Sequence, residues 1–180
     1  MKILALSGSA REASTNTALL RAMSELAPQS IEISVFHELN FLPVFSPDEE
    51  GEKAPVAVQN FIKAVAEADG IIISSPEYIR AIPGGLKNAI DWMVSRIEII
   101  DKPIALVHAS IRGDDMLSSL RRVLSTISGN FFEHIFLRFS LLSKTPEEIA
   151  ELMHSPEYES QITAFLVSFI TEIQQCEANE

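Results

Sequence analysis

This chain has almost no thiol chemistry available to it: Cys176 is the one cysteine among 180 residues. A single cysteine closes no internal bridge, so the fold stands on its apolar core, and a reducing compartment is expected. Positive charge is scarce too. Lys and Arg total 14 against 25 Asp and Glu, a formal net charge of -11. That balance argues against nucleic acid and anionic membranes as partners, while leaving room for a local basic pocket. No apolar run approaches the roughly 18 residues of a membrane helix. The opening MKILALSG turns polar too early for a secretory signal, so a cytoplasmic protein is expected. The familiar phosphate and hydrolase signatures are also missing: no G-x-x-x-x-G-K-[ST], no G-x-G-x-x-G and no G-x-S-x-G. The histidines at 37, 108, 134 and 154 offer no pair with metal-ligand spacing on one element, so no metal is expected.

What is present is a core and an alternation. Hydrophobic residues make up 47% of the chain and charged residues 22%, the composition of a globular protein, and the length suits a single domain over 1–180. Strand-like segments at 2–7, 31–36, 70–75, 103–110 and 131–141 alternate with helical ones at 17–27, 56–68, 83–97, 114–128 and 160–175. A long loop carrying three prolines fills 37–55. GIIISS has a fully apolar core, the pattern of a strand covered on both faces, and PIALVHAS reads as another buried strand. Five βα units predict an α/β protein of three layers, a five-stranded parallel sheet with helices on both faces. The flavodoxin-like order 2-1-3-4-5 is the expected topology. It places a ligand at the carboxyl ends of the strands, beside the switch point between the first and third.

Three loops end there. SGSAREASTNT (7–17) leads from the first strand into a helix and is rich in donors: Ser9, Arg11, Ser14, Asn16 and Thr17. Unpaired N–H groups and the positive end of the helix dipole would welcome a phosphate at this point. The same residues also suit an ordinary strand-to-helix turn with a Ser or Asn cap. SSPEYIRAIPGG (74–85) is stiffened by Pro76 and Pro83 and offers backbone groups and Tyr78 to a planar polar ligand. HASIRGDD (108–115) brings Ser110 and Gly113 to the same edge.

SGSAREASTN followed by SPEYIRAIPGGLKNAIDW resembles the NAD(P)H-dependent FMN reductase family, which includes quinone, chromate and azo-dye reductases. Gly8, Ser9, Arg11, Ser14 and Asn16 match the family's first motif. Pro76, Glu77, Tyr78, Pro83, Gly84 and the run from Leu86 to Trp92 match its second. The resemblance implies FMN as cofactor and NAD(P)H as co-substrate, with a quinone, free flavin or other small molecule as electron acceptor. It implies that Ser9, Arg11, Ser14, Asn16 and Thr17 hold the FMN phosphate. Pro76, Glu77, Tyr78 and the backbone of Ile79 would line the isoalloxazine ring, and Ser110 would edge it. No side chain is then needed as acid or nucleophile, because the flavin carries the chemistry. Two departures stand out. Ile79 and Ala81 replace the family's Asn and Ser, and the glycine-rich run after the fourth strand is reduced to Gly113. They motivate an alternative, a flavodoxin-like binding or interaction module with a degenerate flavin site; a one-electron carrier is a third reading. Arg80 and Arg112 are candidates to meet a nucleotide 2′-phosphate. The apolar stretch from Trp92 to Ile100 and the resemblance together imply a homodimer or homotetramer.

Overall fold

A computed structural model describes residues 1–178. Its strands are β1 (Lys2–Ser7), β2 (Glu32–Phe36), β3 (Gly70–Ser74), β4 (Ile104–His108) and β5 (Phe131–Arg138). Its α-helices are α1 (Thr15–Glu25), α2 (Val56–Glu67), α3 (Gly84–Asp91), α4 (Asp114–Ile127), α5 (Pro146–Met153) and α6 (Pro156–Glu177). The strands form one parallel sheet in the order β2-β1-β3-β4-β5, as the alternation predicts.

Because side chains alternate across a strand, each apolar strand feeds two cores. Leu4, Leu6, Ile71, Ile73, Ile104 and Leu106 face α2, α3 and α4. Ile3, Ala5, Ile72, Ala105 and Val107 face α1, α5 and α6. This is why β3 and β4 are buried along their whole length. Helices α1 and α2 therefore lie on opposite faces, and the chain reverses its winding between β1 and β3.

Three elements differ from the sequence expectation. Helix α3 stops at Asp91 rather than running to 97. Beyond it Met93, Val94 and Arg96 bond back three residues instead of four, and the chain leaves as an extended segment at Arg96. Trp92, fully buried, donates from its indole Nε1 to the Pro43 carbonyl at 2.8 Å, which pins this corner under the long loop. Helix α5 was not expected. It begins with a capping box in which Thr145 and Glu148 satisfy each other's backbone N–H, with Pro146 following the cap. The last helix starts at Pro156, behind Ser155, four residues earlier than the apolar periodicity alone indicates. The 37–55 loop contains three short 3-10 turns.

Candidate active site

The carboxyl ends of β1, β3 and β4 come together where the registers place Ser7 beside Ser74 and Ser74 beside Val107. The loop after β1 approaches the end of β3 closely. Gly8 donates its N–H to the Ser74 carbonyl at 2.7 Å, and a Cβ at position 8 would lie 2.5 Å from Ser75 Oγ. Only glycine permits that approach.

Much of the hydroxyl content of SGSAREASTNT builds the turn itself. Ser14 is the N-cap of α1, its Oγ accepting from Thr17 N–H at 3.2 Å. The Thr17 hydroxyl pairs with Ser7 Oγ at 2.8 Å, and Asn16 Oδ1 accepts from Ser74 Oγ at 2.9 Å. Ser9 Oγ accepts from Arg11 N–H at 3.3 Å. All four side chains are buried. What remains unspent is the Asn16 amide NH2, the first-turn N–H groups of Thr15 and Asn16, and the exposed Arg11 guanidinium. None of these has an acceptor among the described residues. No carboxylate of α1's own first turn offsets the helix dipole. This set of donors fits a phosphate dianion. The ordinary-turn reading is seen directly, since Ser14 caps the helix, and the leftover donors are what a phosphate would use.

A cavity of about 240 Å³ opens beside this turn. Thr15 and Asn16 line one wall, Pro76 and Glu77 a second, and His108 to Ser110, Arg112 and Gly113 a third; Leu142 closes it. The structure therefore brings Asn16, Pro76, Glu77 and Ser110 together around one space. Ser9, Ser14 and Thr17 lie buried next to it in the turn, while Tyr78 and Ile79 stand outside at the rim, 51% and 99% exposed.

The loop after β3 is more closed than its sequence suggests. Tyr78 and Ala81 exchange both backbone hydrogen bonds, at 3.2 and 3.1 Å, around a tight turn whose central residues Ile79 and Arg80 have φ of 50° and 59°. Both angles are left-handed, the requirement of a type I′ turn. The Tyr78 N–H and C=O are thus used internally, leaving the N–H groups of Glu77, Ile79 and Arg80 without a backbone acceptor among the described residues. The Glu77 carboxylate is used as well: it accepts from Met116 N–H at 2.9 Å, capping α4 from a loop 39 residues away.

The loop after β4 is fixed by residues that sequence reasoning did not assign. His108 ends β4, fully buried, and its Nε2 bonds the Arg112 carbonyl. That bond makes Nε2 the protonated nitrogen of a neutral ring. Burial holds the imidazole below its ordinary pKa; the Arg112 carbonyl opposes it, Arg138 pushes the same way as burial, and the Ser75 backbone and Asp114 oppose it more weakly. Its ring lies so near Gly113, at φ 108°, that a Cβ there would sit 2.7 Å from Nε2. Arg138, at the end of β5, donates to the Ser110 carbonyl at 2.7 Å and to Asp114 at 2.8 Å. Arg80 pairs with Asp115. The signal for His108 was a titratable residue inside an otherwise apolar strand, PIALVHAS.

These residues fit FMN. The phosphate end has unspent donors at a helix N-terminus. The ring end has a slot between two stiffened loops, with Gly113 allowing close approach. Among the described residues no group of His, Cys, Asp or Glu is placed to hold a metal, and no helix is long and apolar enough to cross a membrane.

Comparison with known proteins agrees with this geometry. The chain is 36% identical over 106 residues to a quinone reductase of Escherichia coli K12, covering 58% of this chain and 55% of that protein. It is 40% identical over 92 residues to a 2-hydroxy-1,4-benzoquinone reductase of a Burkholderia species, covering 51% and 49%. The chain spans about half the length of these curated relatives. Its fold is similar to that of FerB, a flavoenzyme NAD(P)H:(acceptor) oxidoreductase from Paracoccus denitrificans, with a TM-score of 0.72, 20% identity, and 95% and 98% of the two chains covered. The family model described as NADPH-dependent FMN reductase matches residues 1–138, from β1 through β5, with the loops that follow β1, β3 and β4. On that match and that fold, this chain belongs to the NADPH-dependent FMN reductase family.

Proposed function

We propose that this protein binds FMN and uses it as an NAD(P)H oxidoreductase acting on a small acceptor of the quinone type. The observation that carries the reading is the convergence of an uncompensated α1 N-terminus, with Arg11 beside it, and a cavity walled by the loops after β1, β3 and β4. Arg11, the Ser9 hydroxyl, the Asn16 amide and the first-turn N–H groups would hold the phosphate. Ser14 and Thr17 act one step back, by fixing the turn that aims those donors. Pro76, the free N–H groups of Glu77 and Ile79, and Ser110 would orient the ring. When bound, FMN would supply two-electron redox chemistry between NAD(P)H and the acceptor. The protein's part would be to position the ring with the loops after β3 and β4. Two substrates served in turn at one site give ping-pong kinetics. Steady-state rates of NAD(P)H oxidation by FMN-loaded protein, with a quinone varied at several nucleotide concentrations, should give parallel double-reciprocal lines. Oxidation no faster than with free FMN would refute the reading.

One observation favours a second reading, a binding module without flavin turnover. Tyr78 spends its backbone on Ala81, and Ile79 occupies the turn position where the family pattern has Asn. Protein that purifies colourless and ignores added FMN in a visible-spectrum titration supports the module.

A further inference from the structure

We propose that Arg112 anchors a phosphate of the nicotinamide nucleotide; this rests on the oxidoreductase reading. The argument begins with charge. At a net charge of -11 the protein as a whole repels a polyanionic nucleotide, so binding requires a local cation that is not already neutralised. Four arginines stand around the site, and three are committed. Arg11 lies in the loop that would hold the cofactor phosphate. Arg80 is paired with Asp115, and Arg138 with Asp114 and the Ser110 carbonyl. The carboxylates are committed as well, Glu77 to the N-terminus of α4 and the two aspartates to those arginines. Arg112 lines the cavity, is exposed, and has no carboxylate within ion-pair distance among the described residues.

Its backbone is also fixed. The Arg112 N–H donates to Ser110 Oγ at 2.9 Å, and its C=O is held by His108 Nε2. The next residue, Gly113, makes a left-handed bend for which a side chain has no room against the His108 ring. The main chain is thus held at the cavity wall while the guanidinium stays unpaired, a preorganised contact for an incoming anion. Two phosphate groups offer the matching chemistry: the pyrophosphate shared by NADH and NADPH, and the 2′-phosphate of NADPH alone. A guanidinium can meet either in bidentate fashion.

The test compares FMN-loaded wild type with Arg112→Ala, Arg112→Lys and Arg80→Ala. Losing a charge-assisted contact should raise KM for NADPH about ten- to a hundredfold in Arg112→Ala, with KM moving more than kcat and Lys restoring part of the loss. A rise confined to NADPH assigns the 2′-phosphate, and parallel rises for both nucleotides assign the pyrophosphate. Unchanged KM for both, or an equal effect from the already paired Arg80, overturns the proposal. Calorimetric titration of the same proteins with NADPH is read alongside. If wild type binds but does not turn over, the oxidoreductase reading fails while the affinity ratio of wild type to Arg112→Ala still decides the role of Arg112.

Discussion

Ile79 shows how much a single residue can cost. It is a β-branched side chain held at φ 50°, where its Cβ crowds the following carbonyl oxygen, and it is 99% exposed, so packing returns nothing. Such a conformation costs about 1–2 kcal/mol in a non-glycine residue, whereas Asn tolerates it through its short polar side chain. Ile79→Asn should therefore stabilise the protein by about 1 kcal/mol and raise Tm by roughly 2–4 °C. A melting curve that is unchanged or shifted down would show that Ile79 contributes something its exposure hides. Arg11 makes the opposite case, a guanidinium with no partner among the described residues and a large expected effect on a ligand. A charge-assisted hydrogen bond contributes about 1.5–3 kcal/mol, so Arg11→Ala should weaken FMN binding by about one to two decades. Riboflavin, lacking the phosphate, should bind far more weakly than FMN. Calorimetry with both ligands checks this, and equal affinities would mean that SGSAREASTNT is not a phosphate cradle.

At the scale of elements, the connection from β4 to α4 depends on a buried neutral histidine. Burial lowers the folded-state pKa of His108 from its ordinary 6.5. The unfolded chain therefore takes up a proton that the folded chain refuses. The stability this confers is present above about pH 6.5 and lost as pH falls below it. His108→Gln keeps a donor for the Arg112 carbonyl but cannot titrate. Urea unfolding between about pH 8 and 5 should show a shallower loss of stability in the variant than in wild type. Identical slopes would mean that carboxylates alone govern the acid limb. The same connection marks the boundary of what the sequence reveals. The apolar runs GIIISS and PIALVHAS declared a doubly covered parallel sheet, and the strand order followed from few allowed crossovers. The TPEE that opens α5 was equally legible as a capping box, but that helix is only eight residues long, and so short an apolar stripe is easily passed over. The partners in the site were not legible. Glu77 reaches Met116, Arg80 reaches Asp115 and Arg138 reaches Ser110, all across loops far apart in sequence. Only the folded sheet edge brings them together. Composition likewise read the hydroxyls of the first loop as ligand donors, where the fold spends Ser14 and Thr17 on its own turn.

For the whole molecule, the open question is what covers its exposed aliphatic residues. Just past α3, Val94, Ile97 and Ile100 are 64%, 80% and 52% exposed, although Trp92, Met93 and Ile99 in the same stretch are buried. The alternation means that this segment packs one side into the core behind α2 and α4 and presents the other outward. The outward side borders a cavity of about 530 Å³ shared with the end of α4, lined by Ser125, Thr126 and Ile127. Leaving such side chains in water forfeits roughly 25 cal/mol for each Å² of apolar surface that association would cover. A self-complementary contact between two copies would remove that cost, provided it buries about 1,000 Å² or more. We therefore expect a homo-oligomer, with light scattering at micromolar concentration returning at least twice the 19.9 kDa of one chain. Ile97→Lys places a charge at the most exposed point of this surface and touches none of the cavity loops. It should shift the mass toward the monomer while leaving the FMN affinity measured by calorimetry within about twofold of wild type. A wild-type mass of one chain would remove the claim. An oligomer that survives Ile97→Lys would move the interface to another face, and the rim of Ile79, Ile111 and Leu142 would be the next surface to test.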